Sequence, residues 1–495
     1  EKYGEDENEN GDDDDDNNNN NVWSRRWLWI CLLLTVILVG VGAGVGISMK
    51  NSSNANNSSS DNLSGSTNSS PDNSNSNSDS ATIGADDWAS AVTAVPGVLD
   101  GWNGSDSNNG STDSQSSQNG NSNNDVEGVV YDGYDYRANS KYLVGAYYYP
   151  WHGDGNFHNN EGYIRSELIP PHQPELGEYN DSDPRVIAAH MRYFRQANIG
   201  LLVTSWWGPR RTEDTTTRNV IMDHEDVGNL QIALHYETSG RIKSEDMSTV
   251  REDMQYICET YFDHPNYYKI NGRPVLVIYV SRALSNEGRL EEALLTMRSE
   301  VSKCGHNLYL IGDQVFAKAP DTTNEPFIPF WYFDAVTNYD VYGSANKPTP
   351  YALKERVDDF YNEQQKWREL ALEENCRFIP PVAPGYNDRG VRIERDHPPL
   401  SRKLDENSEE GSLFWYQLKK ALPLVDPGAD NMILVNSFNE WHEDTQIEPV
   451  IGDPASEPFN LTSGLTYVGY GDLYLDILRA ATTEGQEDVF DFLLE

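Results

Sequence analysis

Eight short apolar or aromatic runs recur along residues 131–495, and polar segments separate them. The runs are YLVGAYYY (142–149), GLLVTSWW (200–207), LQIALHY (230–236), PVLVIYV (274–280), LYLIGD (308–313), FDAVTNYD (333–340), FIPPVAPG (378–385) and MILVNSFNE (432–440). They are continuous rather than alternating, which is typical of strands buried on both faces. Three prolines in the run 378–385 disfavour a regular strand there. The pattern predicts eight buried, parallel strands.

Helical patterns lie between most of these runs. In the segment 183–198, Asp183 is placed to cap a helix and Pro184 suits its first position. The apolar positions at helical spacing are Val186, Ala189, Tyr193 and Ala197. Residues 244–262 and 352–374 also show a helical pattern. Strands alternating with helices predict an α/β (β/α)8 TIM barrel with long loops. A doubly wound open sheet is the alternative.

The N-terminal part of the chain has a different composition. Residues 1–26 form an acidic, disordered tail, residues 27–49 carry no charge and are long enough to span a bilayer, and residues 50–130 are an Asn/Ser-rich stem. Arg25 and Arg26 precede the apolar segment directly, which predicts a cytoplasmic N-terminus. We therefore expect a single-pass type II membrane protein, a lumenal, glycosylated stem and a catalytic domain over 131–495.

Charge and cysteine content narrow the possible partners. The chain carries 37 basic and 79 acidic residues, a formal net charge of -42, which argues against nucleic acid and suits neutral ligands such as sugars. Its four cysteines show no zinc-binding spacing. The sequence leaves open whether Cys258, Cys304 and Cys376 pair. It implies no metal and no cofactor.

Aromatic and polar residues gather where the predicted strands end, which is the end of a (β/α)8 barrel that carries its chemistry. They are Tyr147, Tyr148, Tyr149, Trp151, Trp206, Trp207, His235, Tyr236, Glu237, Asp313, Gln314, Tyr339, Asp340, Tyr386, Asn387 and Asn439. Aromatic rings stack on sugar faces and polar groups bind hydroxyls, so this set predicts a carbohydrate site rather than ordinary core.

The stretch NSFNEWHEDTQIEP (436–449) places Glu440 and Glu443 three residues apart, directly after the eighth run. Glycoside hydrolysis commonly uses such a pair, with one carboxyl protonated and the other ionised. A metal site formed by His442 with either glutamate is one alternative. A solvated protein surface is the other. The sequence contains no HExxH metal motif, GxSxG elbow or phosphate-binding loop.

The segment SFNEWHEDTQIE (437–448) resembles the SFNEWHEGTQIE signature of glycoside hydrolase family 99. Further blocks match in family order: YYPW (148–151), ELGEYNDSDPRVIAAHMRYFRQANIG (175–200), SWW (205–207), LHYE (234–237) and FIPPVAPGYNDRGVR (378–392). The resemblance covers about residues 142–480.

This resemblance implies a retaining endo-α-1,2-mannosidase anchored in the Golgi membrane, which releases glucosyl-mannose from glucosylated high-mannose N-glycans through a 1,2-anhydro sugar. Glu440 would be the base that acts on the substrate 2-hydroxyl, and Glu443 the general acid/base. The implied substrate-binding residues are Tyr148, Tyr149, Trp206, Trp207, Glu237, Tyr339, Trp441 and His442. A hydrolase of a different α-mannan is an alternative with the same chemistry.

Two departures from the family pattern bear on function. Asp444 stands where the signature has glycine, and this third carboxylate either raises the pKa of Glu443 or faces solvent. The segment GDGNFHNNEGYIRSEL (153–168) lacks the aromatic/Asn/His cluster expected after the first strand. These departures motivate a second hypothesis, a membrane-anchored mannose-binding lectin without turnover.

Overall fold

The computed structural model describes residues 135–137, 140–153, 157, 162–242, 246–316, 318–339, 341, 349–393 and 397–495. The predicted tail (1–26), membrane span (27–49) and stem (50–130) lie outside these residues and stay predictions. Among the helices in the described ranges, none has both the length and the apolarity needed to cross a bilayer.

Eight parallel strands form one curled sheet. They are β1 (Leu143–Tyr148), β2 (Ile199–Trp206), β3 (Gln231–Tyr236), β4 (Arg273–Ile278), β5 (Tyr309–Asp313), β6 (Ala335–Thr337), β7 in two pieces (Arg377–Phe378 and Pro381–Val382) and β8 (Met432–Val435). Their order is β7–β8–β1–β2–β3–β4–β5–β6–β7, because the two pieces of β7 pair on opposite sides.

The interruption in β7 has a local cause. Phe378 pairs with β6 and Pro381 pairs with β8, while the Ile379 N–H donates to the Val336 carbonyl at 3.0 Å and the Pro380 carbonyl accepts from Leu434 at 3.1 Å. Proline has no N–H to donate, so this strand cannot pair regularly along its length. Both edges of the sheet meet here, which is consistent with a TIM-barrel-like fold and leaves no edge for the doubly wound alternative.

Helices follow most strands. They are α1 (Pro184–Gln196), α2 (Thr212–Thr216, continued by a π-helical turn Thr217–Ile221), α3 (Ser248–Thr260), α4 (Ser281–Asn286), α5 (Leu290–Lys303), α6 (Leu353–Glu373), α7 (Ser412–Ala421) and α8 (Leu473–Thr482). The three helices expected from sequence correspond to α1, α3 and α6. As predicted, the Asp183 side chain caps α1, accepting from the Arg185 N–H at 2.9 Å. In the described part of the connection between β5 and β6, the 3-10 helix Ile328–Trp331 takes the place of an α-helix.

The core consists of two apolar layers, one on each face of the sheet. The cluster that includes Leu143, Tyr147 and Tyr149 contains no residue of α1–α8, and it fills the barrel. The cluster that includes Tyr148 and Trp206 also contains helix residues, and it packs between strands and helices. Because side chains alternate between the two faces, this assignment determines which strand-end residues can reach a site inside the barrel.

A disulfide joins Cys258 in α3 to Cys304, which directly follows α5. The two helices pack side by side, with a Cα–Cα distance of 6.5 Å at the bridge. Cys376 retains its thiol and is buried next to β7. The pairing that the sequence left open is therefore Cys258 with Cys304.

Replacing both Cys258 and Cys304 by alanine is expected to lower the free energy of unfolding by about 2–4 kcal/mol, because the bridge closes a chain separation of 46 residues. Urea unfolding in the absence of reductant measures the change. The Cys376→Ala variant is the control for loss of a buried thiol. A double variant no less stable than Cys376→Ala would contradict the assigned pairing.

Candidate active site

The two glutamates of the sequence motif lie in one tight turn after β8. Glu440 caps the 3-10 helix Trp441–Glu443, and its carboxylate Oε1 accepts from the His442 N–H at 3.1 Å. The Glu440 N–H donates to the Ser437 hydroxyl at 2.8 Å. Glu440 caps the helix and Glu443 is its last residue, and the charge of Glu440 acts on the Glu443 carboxyl group. The turn therefore brings the two carboxyl groups close enough to interact.

Glu443 is largely buried, with 12% of its side chain exposed. Burial raises its pKa, and the nearby charge of Glu440 raises it further. The guanidinium of Arg392, whose Nη1 lies 3.3 Å from the Glu443 Oε1, opposes these effects. The result is a pKa of about 7 for Glu443. A carboxyl with this pKa can carry a proton near neutral pH and release it, as a general acid/base must.

A third carboxyl group, Glu237, follows β3 and is also buried. Its Oε1 accepts from the Ser205 hydroxyl at 2.8 Å, and that hydroxyl accepts from the Trp207 indole Nε1 at 3.0 Å. Burial raises the pKa of Glu237 to about 8 despite the Ser205 hydrogen bond, and the charges of Glu440 and Glu443 add to the shift. The three glutamates thus share one electrostatic environment at the barrel end.

Two tyrosines lie inside the barrel beside these carboxyls. The hydroxyls of Tyr149 and Tyr339 hydrogen-bond to each other. The Tyr149 backbone N–H donates to the Asn439 Oδ1 at 2.8 Å, and the Asn439 Nδ2 donates back to the Tyr149 carbonyl at 3.1 Å. Burial has the largest effect on the Tyr149 pKa and raises it. The negative charges of Glu440, Glu237 and Glu443 raise it further. Tyr149 is therefore fixed among all three glutamates.

Aromatic rings extend this cluster toward solvent. Trp151 is half-buried and packs on Tyr149, with ring centroids 4.6 Å apart. His442 lies 6.2 Å from the Trp151 ring, and its Nδ1 is 3.3 Å from the Glu440 Oε1. Trp207 is half-buried as well. Partly exposed indole rings next to buried carboxyls are the arrangement that binds and positions a sugar.

The structure places three of the predicted sugar-binding residues away from this cluster. Tyr148 points away from the barrel interior and hydrogen-bonds to the His190 Nδ1 at 2.9 Å. Trp206 is fully buried against the helices, where its Nε1 donates to Asp214 at 3.0 Å. Strand alternation directs Tyr148 and Trp206 outward while their neighbours face the site. Trp441 is buried beneath the turn, and its Nε1 donates to Glu448 at 2.8 Å.

The other predicted residues gather at one place. They are Tyr149, Trp207, Glu237, Tyr339, Glu440, His442 and Glu443. Their individual roles in binding and catalysis stay predictions.

Asp444 does not face solvent. Its side chain is buried between two arginines, with Oδ1 2.7 Å from the Arg165 Nε and 3.4 Å from the Arg402 Nη2. Burial alone would raise the pKa of Asp444, but Arg165 and Arg402 outweigh burial and lower it. Its effect on the pKa of Glu443 stays a prediction.

The sequence reasoning missed two residues at the site. Arg392 contacts Glu443 and also Asp388, whose Oδ2 is 2.8 Å from the Arg392 Nη1. It lies ten residues beyond β7, too far along the loop for a rule based on strand ends. Tyr279 directly follows β4, and its ring lies 5.2 Å from that of Tyr339. The same strand-end rule, applied to β4, would have found Tyr279.

The described part of the chain contains no group of three or more His, Cys, Asp or Glu side chains arranged to bind a metal ion. What it brings together is a carboxyl group with a pKa near neutrality, a second carboxyl in the same turn and an aromatic wall. Such a set can donate a proton to one atom of a substrate and accept a proton from another.

Known proteins resemble this chain in sequence and in fold. The family profile described as "Glycosyl hydrolase family 99" matches residues 132–485. The chain is 26% identical over 394 residues to the "Glycoprotein endo-alpha-1,2-mannosidase" of Mus musculus, covering 72% of this chain and 77% of the relative. It is 27% identical over 371 residues to the Homo sapiens "Glycoprotein endo-alpha-1,2-mannosidase-like protein", covering 68% and 74%.

A solved structure agrees. A GH99 endo-alpha-mannosidase from Bacteroides thetaiotaomicron, in complex with bis-tris-propane, superposes with a TM-score of 0.50 at 26% identity. The match covers 71% of this chain and 98% of that one.

Replacing Glu237 by glutamine is expected to stabilise the fold increasingly as pH rises. The pKa of Glu237 is about 8 in the folded protein against 4.5 for an ordinary glutamate, so its ionisation weakens folding between those values. Glutamine keeps an oxygen for Ser205 and cannot ionise. At pH 8 the Glu237→Gln variant should exceed the wild type in unfolding free energy by more than about 1.4 kcal/mol, the equivalent of one pKa unit.

Chemical denaturation at pH 5 and pH 8 measures this gain. The exposed Glu484→Gln variant is the matched control. A gain for Glu237→Gln that is the same at both pH values, or no gain, would show that Glu237 is not destabilised by burial.

Proposed function

Because this chain belongs to glycosyl hydrolase family 99, we propose that it is a retaining endo-α-1,2-mannosidase that cleaves internal α-mannoside linkages. The observation that carries the proposal is the turn after β8, where the charge of Glu440 acts on a buried Glu443 whose pKa is about 7. The endo-α-mannosidase names of the relatives agree with this activity.

In the proposed reaction, the Glu440 carboxylate accepts the proton of the 2-hydroxyl of the reacting mannose. The 2-oxygen attacks the anomeric carbon while the bond to the leaving oxygen breaks, and Glu443 donates its proton to that oxygen. The product of this step is a 1,2-anhydro sugar. Glu443, now ionised, accepts a proton from water as the water attacks the anomeric carbon. The bond between that carbon and the 2-oxygen breaks, and Glu440 returns its proton to the 2-oxygen. Two inversions give net retention.

The raised pKa of Glu443 supports its assignment as the acid. A group that must donate a proton in the first step and accept one in the second works best with a pKa near the working pH. Glu440, whose Oε1 already accepts from the His442 N–H, is positioned as the partner base. Tyr149, Tyr339 and Glu237 surround the place where the reacting mannose would lie.

The proposed substrate is a glucosylated high-mannose N-glycan, from which cleavage releases a glucosyl-mannose disaccharide. The half-buried Trp151 and Trp207 provide faces for neutral sugars, and the net charge of -42 disfavours polyanionic ligands. Another α-mannan remains the alternative substrate. The lectin hypothesis gains nothing from Asp444, whose charge is balanced by two arginines.

We also propose that the protein is a type II protein of the Golgi membrane with its barrel in the lumen. The uncharged segment 27–49 preceded by Arg25 and Arg26 supports the anchor and its orientation. The Cys258–Cys304 disulfide supports an oxidising compartment for the barrel.

The full chain, purified in detergent, should convert a monoglucosylated high-mannose N-glycan into a glucosyl-mannose disaccharide and a trimmed glycan. Mass spectrometry of the products measures this. The Glu443→Gln variant should lower kcat/KM by about 10²–10⁴, the typical contribution of general acid catalysis. It should retain more activity on an aryl glycoside whose acidic phenol leaves without protonation.

An intact glycan after incubation with a folded wild type would contradict the proposed substrate. Turnover of a different α-mannan by the same sample would support the alternative. Full activity of Glu443→Gln on the natural linkage would refute the assigned role of Glu443.

Activity should fall as pH rises through about 7, because Glu443 must be protonated to act as the acid. Arg392 lowers the pKa of Glu443, so Arg392→Met should move the descending limb of the kcat/KM profile to higher pH. Arg389→Met, at a neighbouring arginine that contacts Asn460 and Ser463, is the control. A limb that stays in place or moves to lower pH in Arg392→Met would contradict this electrostatic account.

A further inference from the structure

A buried ion cluster lies directly behind the catalytic turn. It consists of Asp444, Arg165 and Arg402, and is called here the Asp444 cluster. The Asp444 side chain is 1% exposed, and its backbone has a left-handed φ of 51°. That conformation is uncommon for a residue other than glycine. The residue that ends the turn is therefore a charged group in a constrained backbone conformation, next to Glu443.

The two arginines bind both the side chain and the main chain of Asp444. Arg165 donates through Nε to Oδ1 at 2.7 Å. Arg402 donates through Nη2 to the Asp444 carbonyl at 2.8 Å and to the Gln446 carbonyl at 2.9 Å. The Gln446 amide also donates to the Asp444 Oδ1, at 3.1 Å. These bonds fix the chain from residue 444 to residue 446.

The arginines come from two distant loops at the same end of the barrel. Arg165 belongs to the 3-10 helix Ile164–Glu167 after β1, and it also donates to the Val468 carbonyl at 3.2 Å. Arg402 belongs to the loop between β7 and α7. The Asp444 cluster thus connects the turn after β8 to the loops that follow both strands neighbouring β8 in the sheet.

Aromatic rings shield the Asp444 cluster from water. The Arg165 guanidinium lies 5.1 Å and 5.0 Å from the ring centres of Tyr467 and Tyr470. The Arg402 guanidinium lies 5.0 Å from Tyr470 and 4.9 Å from Tyr474. A buried ion pair is weak evidence for stability, because desolvation offsets its attraction, but it can select one conformation. Here the conformation selected is that of the turn.

We propose that Asp444 is a positioning residue that fixes Glu443 against the leaving oxygen of the substrate. Glu443 directly precedes Asp444, and its carbonyl accepts from the Asn387 N–H at 2.7 Å. The backbone that directly follows the Glu443 α-carbon is therefore held at two consecutive residues, at the Glu443 carbonyl and at Asp444. A shift of about 1 Å in a catalytic group can lower the rate about 10²-fold. This inference rests on the proposed glycosidase function and concerns only the acid step.

The Asp444→Asn variant tests the charge with the least change of shape. Asparagine tolerates the left-handed conformation but cannot balance two buried guanidinium groups. We expect kcat/KM on the natural glycan to fall by about 10–100-fold, because protonation of its poor leaving group needs a well-placed acid. On an aryl glycoside with an acidic phenol, kcat/KM should change by less than about threefold. The readout is the fold-loss of kcat/KM on the natural glycan divided by the fold-loss on the aryl glycoside. Both values report the steps up to the first cleavage.

Two further variants keep the test decisive. Arg165→Lys retains the charge balance if Asp444→Asn does not fold, and it should give a smaller change in the same direction, because lysine lacks the fork of donors. Asp253→Asn is the matched control. Asp253 is also buried and bound to an arginine, Arg241, but it lies on α3. It should lower stability without changing the ratio between substrates.

Equal losses on both substrates, or no loss, in a folded Asp444→Asn or Arg165→Lys variant would overturn the positioning role while leaving the proposed function intact. Absence of wild-type turnover on both substrates would overturn the proposed function, and this inference with it.

Discussion

Burial of the Glu443 carboxyl group beside that of Glu440 is the constraint on which the site depends. Burial disfavours the ionised form of Glu443, and the charge of Glu440 disfavours it further, so ionising both is costly. Arg392 reduces that cost without cancelling it, which leaves the Glu443 pKa near 7 rather than at 4.5. The structure thus favours a proton on Glu443 near neutral pH before any substrate binds, as the proposed acid role requires.

The surrounding fold keeps this unfavourable arrangement in place. The turn is held in place by the hydrogen bond from Trp441 to Glu448 and by the Asp444 cluster. Reciprocal hydrogen bonds between Asn439 and Tyr149 connect it to β1. Destabilised carboxyls persist only where neighbouring structure determines their positions, and here the ends of β1, β7 and β8 share that task. The protein thus loses some stability by burying these carboxyl groups, and it holds them in fixed positions.

Much of the fold could be predicted from local pattern. Continuous apolar runs indicated all eight strands, although they overestimated β6, β7 and β8, where the sequence signal extends beyond the paired residues. The alternation of side chains along a strand also indicates which face of the sheet each residue occupies, and the sequence prediction did not use it. Tyr148 and Trp206 precede inward-facing neighbours, so the period of two could have assigned them to the outer layer in advance. The sequence prediction grouped all residues at a strand end together, although neighbouring side chains on a strand face opposite sides of the sheet.

The site's electrostatics could not be predicted locally. Arg165 and Arg402 are 279 and 42 residues from Asp444, and Arg392 is 51 residues from Glu443. Sequence spacing says nothing about such contacts, because the closure of the barrel brings them together. The sequence therefore identified a third carboxylate beside Glu440 and Glu443, but its partners depended on the folded loops.

Infrared difference spectroscopy of the carboxyl groups tests the central claim most directly. The band of a protonated carboxylic acid, present in the wild type and absent from Glu443→Gln, should disappear with a midpoint near pH 7 as pH is raised. That result would establish a proton on Glu443 at the pH where an acid is needed. A midpoint near 4.5, the value for an ordinary glutamate, would contradict the account, because Glu443 would then be ionised and unable to protonate a leaving group.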